Sequence, residues 1–196
     1  ANGLRILADT GDGWRLLTIP SAFDMGLNDC RWIYRTENTT ITVHLVASGS
    51  DTALQWRITT DGHPCRFMVY AHLVMGERDY EHTGRVDINA GAGRATLFFD
   101  PQTLWGSRYP QARFDLVTST PDALDDIGSN ELLFTDGKAH HGATHLVMRT
   151  KPTQAFTFAF TGSLTNPTDA EALAAKYSGD VSAAAMLVPA TNYWHR

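Results

Sequence analysis

The sequence has no run of basic residues and no long hydrophobic segment, and each shortage argues against a class of partner. The 16 Lys and Arg residues are scattered among 21 Asp and Glu residues, which gives a net charge of -5. We therefore expect no nucleic acid partner and no binding to an anionic membrane surface. No stretch reaches the roughly 18 consecutive apolar residues of a transmembrane helix, so no membrane span is expected. The first residues lack the basic-then-apolar order of a signal peptide, and a cytoplasmic location is our expectation.

Cysteine is also scarce, and the strongly diagnostic catalytic motifs are missing. The two cysteines, Cys30 and Cys65, lie in apolar stretches. Buried free thiols are commoner than a disulfide in a domain of this size, although pairing stays open. The sequence contains no Gly-x-Ser-x-Gly elbow, glycine-rich phosphate loop, Cys-x-x-Cys pair or His-Glu-x-x-His helix. We therefore predict no cofactor and no metal.

What the sequence does contain is a long series of short alternating segments. In residues 40–46 the apolar side chains of Ile41, Val43 and Leu45 alternate with polar ones, which is the period of a half-buried strand. Similar runs separated by Gly, Pro and Asp continue to residue 161 and predict at least nine strands. The predicted strands are 30–36, 40–46, 52–60, 65–75, 85–88, 95–99, 113–119, 144–149 and 154–161. Residues 65–75 are apolar on both faces near their end, which predicts a central strand. The pattern indicates a mainly β, antiparallel sandwich.

The composition changes after residue 165. Residues 166–169 precede an alanine-rich stretch, and Thr168 or Asp169 can cap a helix that ends near residues 178–180. A second helical or extended segment begins at Val181. We divide the chain into a β-sandwich domain, 1–165, and a helical linker, 166–196. Tyr193 and Trp194 are large apolar side chains that favour a partner surface, or a chain cut short before another domain.

Residues 100–110 form a loop rich in aromatic and polar residues. Sugars are held by flat aromatic faces beside hydrogen-bonding groups, so Trp105, Arg108 and Tyr109 are candidate substrate-binding residues. The alternative is that Trp105 and Tyr109 only pin the loop to the sandwich, since large aromatic side chains are mostly buried for packing.

Two polar clusters are candidates for other chemistry. His72 with Glu77 or Asp79 is a candidate acid–base pair, although carboxylates at a solvated strand end are the commoner case. The group His140, His141 and His145 matches no zinc spacing, so we interpret it as structural.

The order of features in residues 32–164 resembles the N-terminal β-sandwich of cellobiose phosphorylase-like enzymes and the related region of cyclic β-1,2-glucan synthases. The resemblance rests on residues 40–46, 53–58, 107–110, 136–137 and 156–164. It implies a galactose-mutarotase-like supersandwich with a short C-terminal helical linker. In that family the linker leads to an α/α-barrel that carries catalysis, so no catalytic residue is transferred to this chain.

The resemblance implies an accessory domain of a glycoside phosphorylase or hydrolase that acts on β-glucan-type oligosaccharides. Its expected partners are an oligosaccharide, an α/α-barrel catalytic domain if the chain is a fragment, and a second copy in a homodimer. Two alternatives stay open. One is a self-sufficient mutarotase-like epimerase that uses the His72 and carboxylate pair. The other is a non-catalytic carbohydrate-binding module.

Overall fold

Two antiparallel β-sheets make up most of the computed structural model, which describes residues 3–78, 84–134, 136, 138 and 145–195. The strands are β1 Leu4–Asp9, β2 Trp14–Leu16, β3 Ala22–Met25, β4 Asp29–Arg35, β5 Thr39–Ala47, β6 Ala53–Gly62, β7 Arg66–His72, β8 Arg85–Asn89, β9 Arg94–Phe98, β10 Arg113–Thr118, β11 Leu124–Gly128, β12 His145–Thr150 and β13 Ala155–Ser163. The helices are α1 Leu104–Arg108, α2 Asn130–Leu133, α3 Pro167–Tyr177 and α4 Ala183–Trp194. The mainly β, two-sheet sandwich with C-terminal helices is confirmed.

The two sheets differ in width. The smaller sheet has the order β11-β12-β7-β1-β2, and the larger has the order β3-β4-β5-β6-β13-β10-β9-β8. β7 is the middle strand of the smaller sheet, which confirms the prediction of a central strand. All nine predicted strands are present, and β1, β2, β3 and β11 add to them.

The main core lies between the sheets. Ile41 and Val43 of β5 are buried there, in agreement with the predicted alternation. Phe156, Phe158 and Ile58 are fully buried in the same cluster. Full burial of each such side chain contributes about 1.5–3 kcal/mol, so this cluster is the main source of stability.

A second core lies on the outer face of the larger sheet, beneath α3 and α4. Val46, Val117 and Ala159 of the sheet contact a cluster that includes Tyr177 of α3 and Met186 of α4. The C-terminal helices are therefore packed onto the sandwich.

The first cap differs from the sequence prediction. Asn166 Oδ1 accepts hydrogen bonds from the backbone N–H groups of Thr168, at 3.0 Å, and Asp169, at 3.4 Å. The prediction that Thr168 or Asp169 caps the helix is wrong. Pro167 occupies the first helical position, so the cap is the residue before it, Asn166.

Cys30 and Cys65 are both free thiols, so they form no disulfide with each other. Burial raises the pKa of the Cys65 thiol. Among the helices in the described ranges, none is both long and apolar enough to cross a membrane.

Candidate functional site

The described candidate residues lie at one end of the sandwich. β7 ends where β12 begins, since His72 pairs with His145. An apolar cavity of about 340 Å³ lies at this end, and its lining runs from His72 in the smaller sheet to Leu116 and Phe160 in the larger one. The connection from β9 to β10, which carries Trp105, belongs to the same end, because a hydrogen bond ties it to the segment after β7.

The β9–β10 loop is held by short-range hydrogen bonds. The Thr103 N–H donates to the Asp100 carbonyl at 3.0 Å, and Thr103 Oγ1 accepts from the Gly106 N–H at 3.1 Å, which caps α1. A Cβ atom at Gly106 would lie 1.9 Å from the Asp100 carbonyl oxygen, so this close approach requires glycine. The Leu104 N–H donates to Glu77 Oε1 at 2.9 Å and ties the loop to the segment after β7. These contacts fix the direction of α1.

The three substrate-binding candidates lie together on and beside α1. Trp105 is 38% exposed, so part of its ring is open to solvent. Arg108 is exposed and its Cζ lies 5.6 Å from the ring centroid of Tyr109, which is half-buried. An exposed indole beside a guanidinium on a phenol ring offers both a flat apolar face and hydrogen-bond donors. The sugar-binding role of these residues stays a prediction.

The residues of the acid–base alternative belong to neighbouring segments. His72 is the last residue of β7, and its ring stacks on His145 with centroids 4.9 Å apart and an interplanar angle of 30°. Glu77 lies farther along the chain and accepts the hydrogen bond from Leu104. Asp79 lies outside the described residues. Both described members therefore have structural contacts, and their catalytic role is untested.

His145 is surrounded by aromatic and amide groups. Its Nδ1 lies 3.0 Å from Asn130 Oδ1, and its ring makes edge contacts with Tyr70 and Phe134. His140 and His141, the other members of the predicted histidine group, lie outside the described residues. Over the described ranges, the structure contains no group of three or more His, Cys, Asp or Glu side chains arranged to hold a metal.

A buried charge network joins α3 to the larger sheet. Asp115 of β10 is fully buried and accepts hydrogen bonds from Thr96 Oγ1 at 2.6 Å, Arg94 Nε at 2.8 Å and Arg113 Nε at 3.3 Å. Arg94 also donates two hydrogen bonds of 2.8 Å to Glu171 of α3, and Arg113 pairs with the same carboxylate. We call these five residues the arginine clamp.

The clamp is electrostatically balanced, with two guanidinium groups between two carboxylates. The hydrogen bonds from Arg94 lower the pKa of Glu171. The hydrogen bond to Glu171 in turn raises the pKa of Arg94. The charge-assisted hydrogen bonds of this network fix the position of α3 on the sheet.

A second tether lies at the other end of α3. Asp51 Oδ2 accepts from Lys176 Nζ at 2.6 Å and from the Tyr177 hydroxyl at 2.8 Å. Burial, supported by the contact with Asp51, raises the pKa of Tyr177 to about 12. The helix is therefore anchored by polar contacts in its second turn and at its C-terminal end.

The sequence matches a known domain family over most of its length. Residues 1–162 match the sequence profile of the glycoside phosphorylase supersandwich domain. The chain belongs to this family. The match confirms the resemblance to the sandwich domains of glycoside phosphorylases. No curated protein matches the sequence of this supersandwich domain.

A solved structure shows the same fold as part of a larger protein. A bacterial glucoamylase complexed with acarbose aligns with a TM-score of 0.65 and 7% identity, over 97% of the supersandwich domain and 31% of the glucoamylase chain. A polysaccharide lyase aligns with a TM-score of 0.47 and 11% identity, over 91% of this chain and 28% of the lyase. The supersandwich domain thus spans about a third of each structure or less, and the glucoamylase likeness concerns the fold alone.

Proposed function

We propose that this supersandwich domain is the accessory part of a larger glycoside phosphorylase or hydrolase that acts on β-glucan-type oligosaccharides. The observation that carries the proposal is the family match over residues 1–162. The domain would support catalysis by positioning a sugar chain and a neighbouring catalytic domain, since binding away from the reacting centre can fix the geometry of the reaction.

The anchored helices support the positioning role. The arginine clamp and the Asp51 tether hold α3 against the larger sheet, and Met186 of α4 is buried in the second core. A segment packed in this way has a set direction relative to the sandwich. We infer that residues 166–196 connect the sandwich to an α/α-barrel catalytic domain and fix the orientation between them.

The surface of α4 fits contact with such a domain. Tyr193 is 68% exposed and Trp194 is 64% exposed, and they pack edge to face with ring centroids 5.5 Å apart. Both line an open pocket together with Asn28 and Gly49. Exposed paired aromatic side chains are typical of protein interfaces. A homodimer would offer a second such partner, which sedimentation of the purified protein can test.

The α1 loop would supply the sugar contact. Trp105 offers a partly exposed ring, and the hydrogen bonds of the loop fix the backbone that carries it before a ligand arrives. A preorganised aromatic platform loses little conformational entropy on binding. Arg108 and Tyr109 would then hydrogen-bond the sugar hydroxyl groups.

The accessory role is tested by the mass and activity of the gene product. We expect the polypeptide encoded by the source gene to be several hundred residues longer than this chain, and so to have a mass well above 21.6 kDa. We also expect it to degrade β-glucan oligosaccharides. The 196-residue chain alone should form no sugar phosphate from the same substrate and inorganic phosphate. Phosphorolysis or hydrolysis by the short chain would contradict the proposal. Sugar-anomer interconversion that disappears in His72→Ala would instead establish the epimerase.

The sugar contact is tested by titrating the chain with β-linked glucopentaose and following tryptophan fluorescence. Removal of a central aromatic contact commonly costs about 2 kcal/mol or more, so Trp105→Ala should weaken binding at this loop by at least about tenfold. Trp194→Ala is the matched control, because it removes an exposed indole from another surface. Equal affinities in both variants and the wild type would rule out the loop.

A further inference from the structure

The larger sheet extends beyond the smaller one and leaves part of its inner face open. Phe23 pairs with Trp32, which pairs with Val43, so the three side chains share one face. Val43 is buried in the core between the sheets, whereas Phe23 is 52% exposed. The apolar surface of the core therefore continues outward along β4 and β3.

A long cleft follows this overhang. Two adjoining cavities, of about 1000 Å³ and about 370 Å³, share Leu16, Leu17, Thr18 and Tyr34 in their walls. The smaller cavity begins at Leu4, the first residue of β1, and the larger one reaches Thr10, just beyond the end of that strand. Six residues of a strand span about 20 Å, which is room for a short chain of sugar units. We call the two cavities together the edge cleft.

The floor of the edge cleft is aromatic. Trp32, Tyr34 and Trp56 all line the smaller cavity, and each is only half-buried. Flat aromatic faces along an open channel can stack against the apolar faces of pyranose rings.

The rim of the edge cleft carries polar groups with unused hydrogen-bonding capacity. Within the part of the chain that the structure describes, the side chains of Tyr34, Glu37 and Asn38 have no hydrogen-bond or ion-pair partner. All three line the larger cavity. A hydroxyl, a carboxylate and an amide together provide donors and acceptors for sugar hydroxyl groups.

The charges of the rim argue for a neutral ligand. Asp12 and Glu37 oppose Arg15 and Arg35 around the larger cavity, and the smaller cavity adds Arg5, so the acidic and basic groups nearly balance. The Arg15 and Asp12 side chains also pair with each other, at 3.6 Å. An anionic ligand would gain little from this balance, because electrostatic attraction needs an excess of one sign.

We propose that the edge cleft binds a neutral oligosaccharide, a short glucan chain, at a site separate from the α1 loop. The choice of a glucan rests on the proposed function, whereas the aromatic floor and the balanced polar rim are features of the structure itself. A second sugar site of this kind would hold a long substrate on the domain while another part of the same chain is processed.

The test is a titration of the 196-residue chain with β-1,2-linked and β-1,4-linked glucopentaose, followed by NMR of the indole N–H signals. We expect the Trp32 and Trp56 signals to shift. Trp32→Ala should weaken binding at least about tenfold, by analogy with central aromatic contacts. Tyr34→Phe removes one hydroxyl without disturbing the fold and should weaken binding about three- to tenfold. Trp194→Ala is the matched control and should bind as the wild type does.

The outcomes separate this site from the α1 loop. Binding that Trp105→Ala abolishes and Tyr34→Phe leaves unchanged would overturn the edge cleft and support the loop. Absence of any shift with either sugar would also overturn it, while the accessory role would still be decided by the mass and activity of the gene product. Shifts of the Trp32 signal caused by an extended peptide but by no sugar would show that the overhang is a protein-binding edge, and would refute the proposal.

Discussion

Replacement of Asp115 by Asn should destabilise the domain more than any change at the surface of the same network. The Asp115 carboxylate is fully buried and accepts hydrogen bonds from Arg94, Thr96 and Arg113. Asparagine keeps the size and one acceptor oxygen but removes the negative charge. The two guanidinium groups would then share only the carboxylate of Glu171.

The magnitude follows from the burial of the charges. Removing one partner of a buried ion pair costs about 3–5 kcal/mol, because the remaining charge stays out of water. We expect about 3 kcal/mol for Asp115→Asn, since one acceptor is kept and Glu171 still faces Arg94. A domain of this size loses about 2–4 °C in melting temperature for each kcal/mol, so the expected shift is about 6–12 °C.

The assay is urea unfolding at pH 7 followed by far-ultraviolet circular dichroism, with midpoints compared at equal slope. Glu171→Gln is the matched control, because that side chain is 50% exposed and its ion pairs are accessible to water. Exposed pairs contribute about 1 kcal/mol or less, so the control should lose much less stability. A urea midpoint of Asp115→Asn equal to or above that of Glu171→Gln would show that the buried carboxylate is not the centre of the clamp.

Three further changes test other parts of the structure. Hydrogen bonds from Arg94 lower the pKa of Glu171, so the contribution of Glu171 to the free energy of unfolding should be complete above about pH 4.5 and should be lost as the pH falls further. Urea midpoints measured from pH 6 to pH 3 should therefore fall less steeply in Glu171→Gln than in the wild type. Gly106→Ala should cost about 1–3 kcal/mol and change the fluorescence of the α1 loop, because its Cβ would collide with the Asp100 carbonyl; an unchanged melting temperature would contradict this packing. Thr161→Val should be neutral or stabilise by up to about 1 kcal/mol on thermal unfolding, since Thr161 Oγ1 is a buried oxygen without a partner among the described residues; a large loss would reveal an unseen contact.

The predicted strands came from local alternation, and three of the four strands that escaped prediction lack it. β1 does alternate, since Ile6 and Ala8 are buried in the core, and it was missed all the same. β5 shows the alternation clearly, because one face is buried and the other is polar. β2 has only three residues, and all four residues of β3 are exposed, so neither shows a buried face. β11 carries Asp125 and Asp126, which are unfavourable in strands. Neighbouring strands override these local preferences through pairing.

The candidate site residues were predictable only where they are close together in the sequence. Trp105, Arg108 and Tyr109 became candidates because they are close in sequence, and the structure keeps them on one loop. The clamp joins Arg94 to Glu171 across 77 residues, and no spacing rule connects positions so far apart. Only the antiparallel pairing of β9, β10 and β13 brings its members together.

The two faces of the larger sheet have different surroundings. Its outer face carries the clamp and is covered by the packed helices α3 and α4. Its inner face is covered by the smaller sheet only in part, and Trp32, whose ring contacts Phe23, lines the open edge cleft. A smaller sheet as wide as the larger one would close this cleft. The mismatch between five and eight strands therefore leaves aromatic surface uncovered on the inner face, while packed helices cover part of the outer face.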